Sequence, residues 1–172
     1  RKVSAHYVLA EDGTLYSLVD ESKRAWHAGV SYWRGRENLN ACSIGIEIVN
    51  PGHQFGYREF TKAQYETLIP LAQRIKKQYG LKDIDIVGHS DVAPERKKDP
   101  GELFDWRLLA ENGIGLWPNG SLASSNFLTK LGYKQHNEAS ITAFQRHWRQ
   151  NNISGLWDDE CGQILGNLLE QI

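Results

Sequence analysis

The sequence predicts an α/β fold: a mixed β-sheet flanked by helices, followed by a small domain of three helices. Residues 43–49 alternate between isoleucine and other side chains, which is typical of a half-buried strand. An apolar stripe with helical spacing follows at residues 61–80. The small, polar, turn-rich segment at residues 117–125 indicates a boundary. We therefore expect an α/β domain over residues 1–118 and a helical domain over residues 119–172.

The sheet is expected to contain at least four strands. Residues 6–9 and 15–19 flank a turn at residues 11–13, a pattern typical of a hairpin. The alternating residues 43–49 predict a further strand, with its isoleucines on one face. The apolar run at residues 84–88 predicts one more strand, which delivers His89 to its end.

The helices carry local start and stop signals. Thr61 and Gln64 fit a capping box, and Gly80 marks the end of the first helix. Its apolar stripe consists of Tyr65, Leu68, Ala72, Ile75 and Tyr79. After the boundary, apolar residues at 127–131, 141–148 and 164–169 predict three short helices. Three helices in so few residues make a core that needs support from a neighbour.

The composition excludes some functions. The chain of 172 residues is 40% hydrophobic and 24% charged, as in ordinary globular proteins. Its net charge of −1 argues against a general nucleic-acid binder. No apolar run approaches the ~20 residues that cross a bilayer. Cys42 and Cys161 lie far apart, so we expect free thiols rather than a disulfide.

Residues 87–101 place three chemically active side chains on one loop. His89 and Asp99 are good ligands for zinc, and Lys97 offers a cation for a developing negative charge. Each of the three also has an ordinary interpretation, as a cap, a turn residue or a solvated charge. The combination favours a metal site. Asp91, two residues after His89, is expected to hold the loop.

Other polar residues have two interpretations each. Glu47 lies on the face of its strand opposite the isoleucines, so it is either an exposed ion-pair partner or a general base. His27 is either a substrate contact or a hydrogen-bonded loop histidine. His6 is expected to be buried and hydrogen-bonded. The remaining histidines are expected at the surface or in packing; they are His53, His136 and His147.

Five segments of the chain, in order, resemble motifs of one enzyme family. They are residues 4–8, 12–16, 25–29, 40–47 and 87–101. The resemblance is to the type 2 family of zinc N-acetylmuramoyl-L-alanine amidases, which is related to phage lysozyme-amidases and peptidoglycan recognition proteins, and it extends from residue 1 to about residue 118. The tail, at residues 143–149 and 154–160, resembles a small peptidoglycan-binding domain.

The resemblance implies a reaction and a set of roles. The family hydrolyses the amide bond between the lactyl group of N-acetylmuramic acid and the L-alanine of the stem peptide, in peptidoglycan or muropeptides. His89 and Asp99 match two of its three Zn²⁺ ligands. Glu47 matches the residue that takes a proton from the attacking water, and Lys97 matches the cation that stabilises the oxyanion.

The substrate side of the expected site lies in two other motifs. Trp26, His27 and Asn40 are the candidate substrate-binding residues. In the family, the first zinc histidine lies on a strand upstream of the segment at residues 4–8. This chain begins after that strand, so we expect a truncated site, with an upstream N-terminal fragment as a candidate partner.

Because the first zinc histidine of the family is missing from this chain, a second function stays open. It is a module that binds peptidoglycan or muropeptide without turnover. A zinc peptidase that cuts between stem amino acids is a third class, and the ligand order disfavours it. The expected substrate and the tail both belong to the bacterial cell wall. We therefore expect the protein in the periplasm or cell envelope, with association with the outer membrane as one case. A cytoplasmic enzyme acting on recycled muropeptides is the alternative.

Overall fold

The computed structural model describes residues 3–121 and 123–172. Arg1, Lys2 and Leu122 lie outside the described residues; they include the start of the expected α/β domain and one position of the expected boundary segment. The strands are β1 (Tyr7–Leu9), β2 (Leu15–Ser17), β3 (Tyr32–Trp33), β4 (Arg36–Glu37) and β5 (Ile46–Ile48). The α-helices are α1 (Lys62–Tyr79), α2 (His89–Val92), α3 (Trp106–Glu111), α4 (Glu138–Trp148) and α5 (Asp159–Leu169). Short 3-10 helices occupy Leu39–Ala41, Asp83–Asp85 and Leu128–Lys130.

The main sheet is mixed, and helices flank it, so the predicted fold class is confirmed. Its strand order is β2-β1-β5. Strand β1 pairs antiparallel with β2, where Val8 lies opposite Tyr16, and parallel with β5, where Val8 lies opposite Glu47. Strands β3 and β4 form a separate two-stranded hairpin.

Helix α1 covers the isoleucine face of β5, and its predicted end signals are confirmed. The Thr61 side chain accepts a hydrogen bond from the Gln64 amide at 3.1 Å, and the Gln64 side chain accepts one from the Thr61 amide at 2.9 Å. Gly80 ends the helix in the left-handed region, with φ 61°. Leu68 and Ile75 are buried and pack in the clusters that contain Ile46.

The strand predicted at residues 84–88 is wrong. Residues Asp83–Asp85 form a 3-10 helix instead. The residues that follow are extended but pair with no strand within the described ranges. Side-chain hydrogen bonds explain the difference. Asp85 accepts from the Lys82 amide at 3.1 Å, and Asp83 accepts from the Gly115 amide at 3.0 Å. Such local bonds satisfy backbone groups that a sheet would otherwise pair.

The helical tail also differs from the expectation of three helices. Helices α4 and α5 form, but the apolar residues at 127–131 form only the 3-10 turn Leu128–Lys130. So short a segment gains too few hydrogen bonds to offset the cost of nucleating an α-helix. Asn137 and Asp158 cap the two full helices by accepting hydrogen bonds from backbone amides.

The helical tail packs against the sheet-containing part through a shared core. One hydrophobic cluster includes Trp33, Leu39, Ile84, Val92 and Leu116 together with Tyr133, Phe144, Trp148, Leu165 and Leu168. The boundary near residue 118 stays a prediction, while the packing across it is continuous. Among the described helices, none combines the length and apolar character needed to cross a membrane.

Candidate metal centre and active-site cleft

His89 and Asp99 form the closest pair of potential metal ligands on the predicted loop. His89 is the first residue of α2, and the Ser90 amide donates to the Asp99 carbonyl at 2.9 Å. The loop therefore folds back, and His89 Nδ1 lies 2.9 Å from Asp99 Oδ2. The Asp99–Pro100 peptide bond is cis. The sequence correctly predicted that these two side chains meet.

The other ring nitrogen defines how the His89 imidazole is oriented. His89 Nε2 lies 3.1 Å from the carbonyl oxygen of Ala28, which only accepts, and 3.4 Å from the Arg96 guanidinium, which only donates. Nδ1 then faces the Asp99 carboxylate, which also only accepts when ionised. A proton or a metal ion must lie between them. A metal-binding histidine usually donates its second N–H to a carbonyl or carboxylate.

The electrostatics keep the Asp99 carboxyl ionised. Its burial raises its pKa, but the hydrogen bond with His89 and the charges of His89 and Lys97 together bring the pKa below its ordinary value. Lys97 Nζ lies 3.7 Å from Asp99 Oδ1. The three residues predicted on the loop are thus brought together, with the charged forms that zinc binding requires of a carboxylate.

The pair fits a divalent metal in donor chemistry and spacing. Two ligands at the ordinary zinc distances, in a tetrahedron, lie about 3.3 Å apart, and the 2.9 Å pair reaches this spacing with a small movement. Within residues 3–121 and 123–172, no group of three or more His, Cys, Asp or Glu side chains is placed to hold a metal. A metal at this pair would therefore need at least one ligand from elsewhere.

Asn40 holds the loop that carries His27. Its side-chain oxygen accepts hydrogen bonds from the His27 amide at 2.9 Å and from the Ala28 amide at 2.7 Å. Asn40 is buried, and it borders the cleft described below. The same loop presents the Ala28 carbonyl to His89, so Asn40 supports the metal pair as well as His27.

The His27 ring packs against Gly45, the residue before β5, where a Cβ atom would come within 2.3 Å of it. Burial lowers the pKa of His27, and the charges of His6 and His89 lower it further, so the ring is neutral near pH 7. His6 is 1% exposed, accepts from the Gly45 amide and donates to the Lys23 carbonyl, each at 3.0 Å. The expectation of a buried, hydrogen-bonded His6 is confirmed.

Glu47 lies two residues after Gly45 and is exposed. Glu47 alternates with Ile46 and Ile48 on β5, so it projects from the face opposite the isoleucines. In the described part of the chain it forms no ion pair and no side-chain hydrogen bond, including with His89 and Asp99. Its role as a general base stays a prediction.

A cleft of about 820 Å³ connects most of the predicted site residues. Trp26, His27, Asn40, His89 and Lys97 all border it, whereas Glu47 and Asp99 do not. The Trp26 ring is exposed, and the Arg24 guanidinium lies over it, 4.9 Å from the ring centroid. The opposite wall comes from the helical tail and includes Lys134, Gln135, Asn137 and Ser140.

Arg96 is a site residue that the sequence analysis missed. Its guanidinium donates to the Ala28 carbonyl and, at 2.7 Å, to the Val30 carbonyl, and it lies 3.4 Å from His89 Nε2. Arg96 thus joins the loop that carries His27 to the metal loop, which is the segment from His89 to Asp99. Its place between Glu95 and Lys97 in a charged run was the available signal, but that run equally describes a solvated loop.

A second missed feature is a buried hydrogen-bond cluster around Asp91. Asp91 Oδ2 accepts from the Gly88 amide and from His147 Nδ1, each at 2.7 Å, and Oδ1 accepts from the Tyr133 hydroxyl at 2.7 Å. Burial and then the Asp91 charge raise the pKa of Tyr133 well above its ordinary value, so its hydroxyl remains a donor. Asp91 does hold the loop, as expected, but its two side-chain partners lie in the tail.

Comparison with known proteins identifies one family. The N-acetylmuramoyl-L-alanine amidase family matches residues 1–102. N-acetylmuramoyl-L-alanine amidase AmiD of Escherichia coli (strain K12) is 36% identical, over 99% of this chain and 75% of that protein. The 1,6-anhydro-N-acetylmuramyl-L-alanine amidase AmpD of Enterobacter cloacae is 45% identical, over 60% of this chain and 54% of that protein.

Solved structures agree with the sequence comparison. The complex of the E. coli amidase AmiD with anhydro-N-acetylmuramic acid-L-Ala-D-gamma-Glu-L-Lys matches with a TM-score of 0.91 at 36% identity, over 99% of this chain and 80% of that chain. AMPDH3 of Pseudomonas aeruginosa in complex with anhydromuramic pentapeptide matches with a TM-score of 0.89 at 33% identity, over 96% of this chain and 81% of that chain. Both matches include the helical tail.

Proposed function

Since the chain belongs to the N-acetylmuramoyl-L-alanine amidase family, we propose that it is a zinc-dependent hydrolase of muropeptides or peptidoglycan. The bond cleaved is the amide between the lactyl group of N-acetylmuramic acid and L-alanine. One observation carries the zinc assignment. His89 Nδ1 faces Asp99 Oδ2 at 2.9 Å while Nε2 lies 3.1 Å from the Ala28 carbonyl, the kind of acceptor that orients a metal-binding histidine.

The reaction assigns roles to four of the predicted side chains. His89 and Asp99 would hold the zinc, which would supply Lewis acidity to activate water at neutral pH and polarise a carbonyl. Glu47 accepts a proton from the attacking water as the carbon–oxygen bond forms, and it delivers that proton to the L-alanine nitrogen as the carbon–nitrogen bond breaks. The Lys97 ammonium stabilises the charge that develops on the carbonyl oxygen.

The cleft supports a muropeptide as the substrate. Its volume of about 820 Å³ lies within the range of sites that enclose ligands of some tens of atoms. Trp26 offers an exposed ring to an apolar sugar or peptide face, and the neutral His27 ring lines the cleft wall. The AmiD and AMPDH3 complexes hold muropeptides on a closely similar chain fold.

The metal needs at least one ligand beyond His89 and Asp99, since catalytic zinc usually has three protein ligands. The expectation that a separate N-terminal fragment supplies it has no support from the contacts or the comparisons. The proposal therefore rests on the pair and leaves the further ligand open. Substrate oxygens and water molecules also bind zinc, so the pair is the testable part of the site.

The experiment is hydrolysis of anhydro-N-acetylmuramic acid-L-Ala-D-gamma-Glu-L-Lys, followed by mass spectrometry of the released peptide. We expect release that a chelator abolishes and added zinc restores. His89→Ala and Asp99→Ala should abolish it. His53→Ala is the matched control because His53 also lies 3.0 Å from a carboxylate, that of Glu102, outside the cleft.

The outcomes separate the proposal from its alternative, a module that binds muropeptide without cleaving it. Saturable binding with no peptide release at any zinc concentration would favour that module. Peptide release that is insensitive to chelator, or equal in the His89→Ala and His53→Ala variants, would refute the zinc assignment while keeping the amidase activity.

We also propose that the enzyme acts in the cell envelope, because its polymeric substrate is there. The support is the chemistry of the substrate and the helical tail that walls the cleft. Fractionation of cells that produce the native protein tests this. Recovery in the cytoplasmic fraction would favour the alternative, an enzyme that acts on recycled muropeptides.

A further inference from the structure

The helix that carries His89 has little internal support. Helix α2 contains only the four residues His89–Val92, so its own hydrogen bonds cannot fix its orientation. The orientation must come from contacts with the rest of the protein. The strongest polar contacts of this helix converge on one side chain, Asp91, which is 1% exposed.

Asp91 is tied to the helical tail by two buried partners. The Tyr133 hydroxyl and His147 Nδ1 each donate to its carboxylate at 2.7 Å, and both residues are 2% exposed. The remaining bond, from the Gly88 amide, closes the turn that immediately precedes His89. A carboxylate that accepts three hydrogen bonds from three directions is fixed in position and rotation.

The His147 ring is itself held on both faces. It stacks on Trp106 with ring centroids 3.8 Å apart and on Trp148 with centroids 3.7 Å apart. This leaves no free rotation by which Nδ1 could leave Asp91. The tail therefore presents a rigid donor to the metal loop, rather than a side chain that adapts to it.

The same packing reaches the other end of the metal loop. At Gly88, a Cβ atom would lie 2.9 Å from Pro100 Cδ and 3.2 Å from Trp106, so no side chain fits between them. Gly88, which precedes His89, and Pro100, which follows Asp99, therefore pack together against Trp106. His147 stacks on this same ring. Trp106, against which the tail residue His147 stacks, thus packs at both ends of the loop that brings the pair to 2.9 Å.

We propose that Tyr133 and His147 are positioning residues that set the geometry of the His89–Asp99 pair through Asp91. This rests on the proposed function, in which the pair binds zinc. It makes the helical tail a structural part of the metal centre, in addition to any binding of the cell wall. Removal of either donor lets the Asp91 carboxylate rotate, which moves the α2 turn and the imidazole that it carries.

The test compares two donor deletions with a control substitution at another buried polar residue of the tail. Tyr133→Phe removes one hydroxyl, and His147→Phe keeps an aromatic ring between the tryptophans but removes the donor. Gln145→Met is the control, because Gln145 is buried and its side chain bonds the Gly155 amide and the Leu156 carbonyl, away from Asp91. Zinc affinity is measured by competition with a chelator, and folding by circular dichroism and thermal unfolding.

We expect both donor deletions to weaken zinc binding by about 10-fold to 100-fold, the usual effect of losing support behind a metal ligand. Saturating zinc should restore much of their kcat. Gln145→Met should lose stability yet bind zinc with unchanged affinity. Unchanged zinc affinity in folded Tyr133→Phe and His147→Phe would overturn the inference, as would an equal loss of affinity in Gln145→Met.

A metal-free readout keeps this test separate from the proposed function. In the protein without metal, hydrogen exchange of the Gly88 amide and the nitrogen chemical shifts of the His89 ring report the geometry of the turn directly. Both should change in Tyr133→Phe and remain unchanged in Gln145→Met. If wild-type protein binds no zinc but these signals change as expected, the proposed function fails and the positioning role stands; unchanged signals in Tyr133→Phe refute the positioning role.

Discussion

The contact between His27 and Gly45 gives a quantitative prediction for Gly45→Ala. The added Cβ would lie 2.3 Å from His27 Cγ, 2.6 Å from Nδ1 and 2.7 Å from Cδ2, whereas ordinary contacts begin at 3.4 Å. Gly45 cannot move away, because its amide and carbonyl are both bonded to the backbone or ring of His6. The His27 ring must therefore move by about 1 Å, at a cost of about 1–3 kcal/mol in unfolding free energy.

The same displacement should lower activity. The His27 ring borders the cleft beside His89, and a misplacement of about 1 Å in a reacting site costs on the order of 10²-fold in rate. We expect Gly45→Ala to lower kcat/KM for muropeptide hydrolysis by this factor. Unfolding free energy is measured by urea denaturation and activity by peptide release.

A double-variant cycle isolates the contact. In a His27→Ala background the ring is absent, so adding Gly45→Ala should cost little further stability, with a coupling energy of about 0.5–3 kcal/mol between the two changes. An equal cost of Gly45→Ala in both backgrounds would refute the reasoning, since the strain would then arise elsewhere. Wild-type stability and activity in Gly45→Ala would refute it as well.

Three further predictions concern stability, pH and the oxyanion. Thr61→Ala removes the capping hydroxyl of α1 and should lower the unfolding free energy by about 1 kcal/mol, while Lys62→Ala, which breaks only an exposed ion pair, should change it by less than about 0.5 kcal/mol. The hydrogen bond from Arg74 lowers the pKa of Glu21 from 4.5 to about 2, so its stabilising contribution is complete above pH 4.5 and is lost as pH falls toward about 2. Arg74→Met should flatten the dependence of unfolding free energy on pH in that window. Lys97→Met should lower kcat at saturating zinc by about 10²-fold to 10³-fold.

Each of these has a contrary result. Equal effects of the two substitutions at the start of α1 would show that the hydroxyl does not cap the helix. A pH dependence that is unchanged by Arg74→Met would remove Glu21 as its source. An unchanged kcat in Lys97→Met would return that lysine to the role of a solvated charge.

Local signals in the sequence predicted the parts of the fold that depend on neighbouring residues. The capping box at Thr61 and the left-handed end at Gly80 involve residues within one turn of the chain, so their types alone indicate them. The meeting of His89 with Asp99 was also predictable, because a loop between them folds back over ten residues. The face of Glu47 followed from strand alternation.

Features that depend on distant residues could not be predicted in this way. The bond from His147 to Asp91 spans 56 positions and that from Tyr133 spans 42, and a histidine on an apolar helix face is more often packing than a positioning group. The strand expected at residues 84–88 does not form. An apolar run indicates that its side chains are buried, but not that its backbone pairs with another strand. Ile84 is indeed buried, and its carbonyl accepts a hydrogen bond from Trp33 Nε1 rather than from the backbone amide of a neighbouring strand.

The central claim is that zinc binds between His89 and Asp99. The most direct test is anomalous diffraction at the zinc absorption edge from crystals of the zinc-loaded protein. We expect one strong peak within bonding distance, about 2.0–2.2 Å, of both His89 Nδ1 and Asp99 Oδ2. A peak at another site, or zinc-loaded, active protein with no peak at this pair, would contradict it.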